Sequence, residues 1–153
     1  MGVSIIQVVG LVLVGLLAGE ELIVRWGVQP ALASLDDRSH VAARVALVKR
    51  LKVVVPVLMV PAVLVSIAVL IVTGGAPGLG WRVAGMIALV AFVLISFLGT
   101  VPINITVNDW NIDNPPADWK AVVQRWQTID VFRSSAAIVA FICFAVAVGV
   151  QLP

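Results

Sequence analysis

Four apolar runs of about 20 residues each leave this chain few ways to fold, because that is the length of helix needed to cover a bilayer's hydrocarbon. They lie at about residues 3–23, 53–72, 83–103 and 134–152 and are written mostly in Val, Leu, Ile, Ala, Phe and Gly. Lipid offers peptide groups no hydrogen-bond partner, so each run has to satisfy its own backbone as an α-helix. The short alternating segments of a transmembrane barrel do not occur. With 61% hydrophobic and only 12% charged residues, the composition is far too apolar for a water-soluble core. The expectation is an all-α, integral membrane four-helix bundle built by residues 1–153 as one domain.

Charge placement predicts its orientation. Arg25, Arg38, Arg44, Lys49, Arg50 and Lys52 fall between the first two runs, and Lys120, Arg125 and Arg133 between the last two. The only other basic residue is Arg82, between the second and third. The positive-inside rule therefore puts the two long loops in the cytoplasm and both termini outside, in a plasma or inner membrane. Leu16-Leu17-Ala18-Gly19 has the small residues of a cleavage site, but no basic segment precedes it, so the first helix is expected to stay. The net charge of +2 is a topology signal. Without an exposed basic face or a reading element, nucleic acid is not an expected partner, and the lipid bilayer is.

The two long loops are expected to carry amphipathic interfacial helices. From Ser39 as N-cap, residues 40–52 place Val41, Val45 and Val48 on one side and Arg44, Lys49 and Lys52 around the other, as a basic collar at the headgroups would. In the other loop Asn114-Pro115-Pro116-Ala117-Asp118 breaks preceding structure and offers Asp118 as a cap for a short helix over residues 119–130. Trp26, Trp110, Trp119 and Trp126 are expected to serve as an aromatic belt.

Ionisable groups near membrane depth are expensive and mark function by default. Glu20 and Glu21 end the first run, Asn104 follows the third, and Asp130 and Arg133 open the fourth, so all five fall at one end of a four-helix bundle. Glu21 and Arg25 are four apart and can pair on one helix face. Glu20 points about 100° away, without a local partner. Trp126, Asp130 and Arg133 share one stripe, where Asp130 and Arg133 can neutralise each other. Gly15 and Gly19 form a small face for close helix approach. Pro56 and Pro61 each remove an amide donor from the second helix, and Pro102 releases the carbonyl of Leu98 beside Asn104.

Standard constellations are absent. Cys143 is alone, His40 is the single histidine, and no strand precedes a glycine-rich phosphate loop. A carboxylate metal site from Glu20, Glu21 and Asp130 is conceivable, but the expectation is no metal and no cofactor. Asn104-Ile105-Thr106 matches a glycosylation sequon on the side predicted to be cytoplasmic.

One resemblance extends this reading. Thr100-Val101-Pro102-Ile103-Asn104, then Trp119, then Arg125-Trp126 and Arg133-Ser134 resemble the anthrone-oxygenase-like membrane proteins, with Glu20 or Glu21 at the acidic position those proteins carry on helix one. The chain departs from that pattern at Thr100, where Asn is usual, and at Asp130-Val131, where Asn-His is usual. The resemblance implies four transmembrane helices and oxidation of an anthrone-type aromatic to a quinone with dioxygen as co-substrate. On that reading Glu20 or Asp130 is the base, Asn104 and Arg133 hold the oxyanion, and Glu21, Arg25, Trp126 and Pro102 contact a hydrophobic aromatic substrate. The alternatives are a binding or transport component, which at this size would have to form a homo-oligomer, and a structural accessory subunit.

Overall fold

The computed structural model describes residues 2–151, so Leu152, the expected end of the fourth helix, lies outside the described residues. The described chain is all-helical. Helix α1 (Gly2–Ile23) passes through a π-helical turn, Val24–Val28, into the short α2 (Gln29–Ala33). Helix α3 (Asp37–Thr73) runs unbroken through both Pro56 and Pro61. Helix α4 (Leu79–Ile95) likewise continues through a π-helical turn, Ser96–Thr100, into α5 (Val101–Asn108), and α6 (Trp119–Gly149) completes the bundle. The result is four rods long and apolar enough to cross a membrane: 5–33, 37–73, 79–108 and 119–149.

Each rod is longer than its apolar run because the flanking amphipathic segment joins it without a break. Residues 40–52 form the first part of α3, and residues 119–130 the first part of α6. The α3 cap is Asp36, one turn earlier than the expected Ser39: its carboxylate accepts from the Ser39 amide at 3.1 Å. Bonds from Ser39 also hold the exposed Asp36 carboxyl below its usual range. Asp118 occupies the N-cap position of α6 but makes no side-chain cap bond.

Helix α6 packs against α1 and α4, and α1 against α3, while α3 meets α4 and α5 over a smaller area. A five-residue turn, 74–78, joins α3 to α4 at one end. There Gly78 adopts φ 86°, a left-handed conformation favouring glycine, and a Cβ would lie 2.8 Å from the Ala147 carbonyl. The central core consists of Val14, Leu17, Met59, Ala62, Leu89, Phe92, Ala137 and Phe144. Close approach does occur at Gly15, where a Cβ would sit 3.0 Å from Phe141, but Gly19 has nothing within 4 Å. At the far end the core changes character to valines and three tryptophans, Trp110, Trp119 and Trp126.

That placement corrects the aromatic belt. Of the four tryptophans assigned to it, only Trp26 is exposed, at 63%; the other three are buried among side chains. Arg44 also moves. The basic collar expected of it would be exposed, but Arg44 is 2% exposed. The physical reason lies in its spacing: at 3.6 residues per turn, 41, 44, 45 and 48 share one face, so Arg44 belongs to the valine stripe.

Candidate functional site

The polar groups predicted to converge do so, with different partners. Arg133 Nη2 lies 2.8 Å from Glu21 Oε2 and 2.9 Å from Asp130 Oδ1, and all three residues are buried. The expected Asp130–Arg133 pair therefore exists, reinforced by a second bond from Arg133 Nε at 3.2 Å. The expected Glu21–Arg25 pair does not. Tertiary proximity of α6 gives Glu21 a cation on another helix, and Arg25 turns to donate to Ser135 Oγ at 3.0 Å, Ser134 Oγ at 3.3 Å and the Val131 carbonyl at 3.3 Å. Glu20 is half-buried, and neither of its carboxylate oxygens has a hydrogen-bond partner. Two of the three carboxylates are thus held against one guanidinium, and Glu20 is not. Among the described residues no three His, Cys, Asp or Glu side chains are arranged to hold a metal ion.

Trp126 links this ionic group to a second one. The Arg133 guanidinium lies 5.9 Å from the Trp126 ring centroid and 5.6 Å from that of Phe92, and the Arg44 guanidinium lies 5.3 Å from Trp126. Cations held over aromatic faces are stabilised by the ring quadrupole. Arg44 donates to Gln29 Oε1 at 2.8 Å, and His40 sits edge-on to Trp119 at 5.1 Å. Reading the sequence missed Arg44 and Gln29. The signal for Arg44 was present in its register with Val41, Val45 and Val48, whereas Gln29 sits in α2, beyond the first apolar run.

Asn104 has a partner too: Trp126 Nε1 donates to its Oδ1 at 2.9 Å. An indole N–H can only donate, so this bond orients the amide and leaves the Asn104 NH₂ group as the free donor.

That amide borders a cavity of about 470 Å³ between α3 and the 96–108 segment. Its apolar walls are Val48, Leu51, Val55, Pro56 and Met59 on one side and Phe97, Val101 and Ile105 on the other, with Trp126 and Arg133 reaching it from α6. The exposed Lys52 and Asp109 also line it. The Ser96 and Thr100 hydroxyls donate to the carbonyls four residues earlier, which commits their protons within the helix. The π-helical turn opens this side. Its Gly99 comes so close to α6 that a Cβ would meet Ile129 Cγ2 at 2.6 Å. Such turns are frequent at functional sites.

Three of the candidate site residues, Asn104, Trp126 and Arg133, therefore line the cavity. Glu21 and Asp130 meet it through Arg133. Glu20, Arg25 and Pro102 do not line it, and Pro102 is exposed.

Comparison with known proteins places this arrangement. No curated protein and no solved structure matches the chain. The Anthrone oxygenase family model matches residues 45–143, so Arg44, α1 and its two glutamates fall outside the match, while Asn104, Trp126, Asp130 and Arg133 fall inside. Covering more than half of the sequence and every element that walls the cavity, the match shows that this chain belongs to the anthrone oxygenase family.

Proposed function

We propose that the chain is a membrane-embedded oxygenase that takes a flat, hydrophobic anthrone-type molecule into the cavity between α3 and α5 and oxidises it with dioxygen to the quinone. One observation carries this reading: about 470 Å³ of mostly apolar space ends on two hydrogen-bond donors, the Arg133 guanidinium and the Asn104 amide. Small-molecule sites are of this size, roughly 300–1,000 Å³, and combine apolar walls with a few placed polar groups.

The chemistry follows from the donors. Loss of a proton from the anthrone methylene gives a delocalised anion whose charge rests largely on the carbonyl oxygen. Donors aimed at that oxygen stabilise it, and removing one such donor lowers turnover by about 10²–10³-fold in other enzymes. Arg133 and Asn104 take this role. The proton passes to Asp130, which meets the cavity through Arg133, or to Glu20. The anion then reacts with dioxygen: one oxygen atom becomes the new carbonyl, and the other leaves with the two methylene hydrogens as water. The chain's own residues bind the ring, hold the oxyanion and accept the proton.

The charge asymmetry of the loops supports a cytoplasmic position for this end of the bundle, with both termini on the opposite side. Accessibility of single cysteines placed at Asn114 and at Gly75, in a Cys143→Ala background, tests that orientation. Equal labelling from both sides would refute it.

A carrier or binding role is the second reading, favoured because among the described residues the one carboxylate lining the cavity is the exposed Asp109. Oxygen uptake by purified protein given anthrone separates the two. Catalysis predicts anthrone-dependent uptake with one quinone formed per dioxygen, falling at least tenfold in both Arg133→Lys and Asn104→Leu. Saturable anthrone binding with no uptake would leave the carrier reading standing.

A further inference from the structure

Every residue bordering the cavity comes from α3, the 96–109 segment or α6, and none from α1. Helix α1 reaches the site in another way, through Glu21, which is fully buried and lies 2.8 Å from Arg133 Nη2. That contact decides which part of the guanidinium is free. A guanidinium carries one N–H on Nε and two on each Nη. Asp130 Oδ1 accepts from Nε at 3.2 Å and from Nη2 at 2.9 Å, and Glu21 approaches the same Nη2 from α1. Nη1 has no partner among the described residues and keeps accessible surface, which makes it the end of Arg133 that borders the cavity.

The two carboxylates differ in reach. Asp130 stands three residues before Arg133 on the same helix, and a pair at that spacing forms on an isolated helix without fixing how the cation stands relative to its neighbours. Glu21 supplies the fixed point from across the bundle. The rings of Phe92 and Trp126, centred 5.6 and 5.9 Å away, bound the guanidinium further. Helices α1, α4 and α6 thus each touch the group, and the cavity lies on the side toward α3.

We infer that Glu21 is a positioning residue: from α1 it holds Arg133 Nη2, so that Nη1 points into the cavity at the carbonyl oxygen of the ligand. This rests on the proposed use of Arg133 as a donor. Glu21 acts only through Arg133, because both of its own oxygens are enclosed. Without it the guanidinium follows Asp130 alone and the donor loses its aim, while the Arg133–Asp130 pair still leaves neither charge uncompensated.

The test compares equilibrium binding of anthraquinone with that of anthracene, the same ring system without the carbonyls, by the full-length protein in lipid nanodiscs, each affinity corrected for partition into empty discs. Wild type should prefer the quinone by on the order of tenfold. Glu21→Leu should cut that preference by about threefold or more while anthracene affinity holds; a merely structural glutamate would lower stability and leave the ratio alone. Glu21→Gln, which keeps an acceptor for Nη2, should stay within about twofold of wild type. Glu21→Asp keeps the charge but withdraws it by one methylene, so it should fall as Glu21→Leu does, and it decides the question if the leucine variant does not fold. Added to Arg133→Lys, which has no Nη1 to aim, Glu21→Leu should change the ratio no further. The inference is overturned, and the cavity reading stands, if Glu21→Leu and Glu21→Asp keep the wild-type preference, if Glu21→Gln loses as much as Glu21→Leu, or if the loss is undiminished in the Arg133→Lys background. If wild type binds neither probe, or does not discriminate between them, the cavity reading falls and takes this inference with it.

Discussion

The two ends of the bundle are built from the same four rods and solve opposite problems. At the end closed by the 74–78 turn, small residues bring the helices together, and a void bordered by Gln7, Ser66 and Arg82 measures about 10 Å³. Arg82, 1% exposed, is absorbed there by donating to the carbonyls of Gly74, Ala76 and Pro77 in the 74–78 turn. At the other end α3 and α5 are not joined by a tight turn, and Pro56, the π-helical turn and the bulk of Trp126 accompany a cavity about 470 Å³ in size. There Arg133 is shared between carboxylates and aromatic rings, and Arg44 between the Gln29 amide and the Trp126 ring. Close packing stabilises one end; the other retains space and charge. Both features of the second end are unfavourable in isolation, and the proposed ligand-binding role would account for them together.

The difference can be broken from either side. The largest effect is expected for Arg133→Met, which leaves Glu21 and Asp130 buried without their cation: a loss of about 3–5 kcal/mol, read as a lower unfolding midpoint in detergent, with anthrone binding abolished. Phe144→Ala at the tight end should also cost about 3–5 kcal/mol through the cavity it leaves. Its ligand affinity should remain unchanged in a binding titration at a temperature where the variant stays folded, and a parallel loss of affinity would show that the ends are not independent. Gly99→Val drives a side chain into Ile129 and should cost about 1–3 kcal/mol; because it displaces the cavity wall, binding should weaken along with stability. Trp126→Phe keeps an aromatic face but shrinks it and removes the N–H to Asn104, a bond worth about 0.5–1.5 kcal/mol. It should lower affinity for a carbonyl ligand more than it shifts the melting temperature, since the Asn104 amide is then free to flip. The smallest change is Ser66→Ala at the tight end, where the buried hydroxyl has no partner. Removing it should alter stability by less than about 1 kcal/mol, and a larger loss in thermal unfolding would reveal a role for that hydroxyl.

Legibility followed the range of the interactions. The four spans, the Asp130–Arg133 pair and the convergence of Glu21, Asn104 and Asp130 toward one end were readable because they depend on run length and helical spacing. The Glu21–Arg25 pair was a sound local expectation that tertiary contact overrode: α6 offered Glu21 a more enclosed cation, and Arg25 found serine hydroxyls and a carbonyl. Trp110, Trp119 and Trp126 misled because belt anchoring and core packing draw on the same residue type near the same depth.

What the sequence determined alone was the solvent and the secondary structure. Apolar runs of this length have to be helices in lipid, and the acidic and basic residues at their ends have to meet when four such helices stand side by side. Only the tertiary structure decided which charge faces which, that Asn104 is turned by an indole N–H, and that a space remains beside it. Pairing and vacancy depend on how far apart helices stand, and that distance is set by side chains from different parts of the chain acting together.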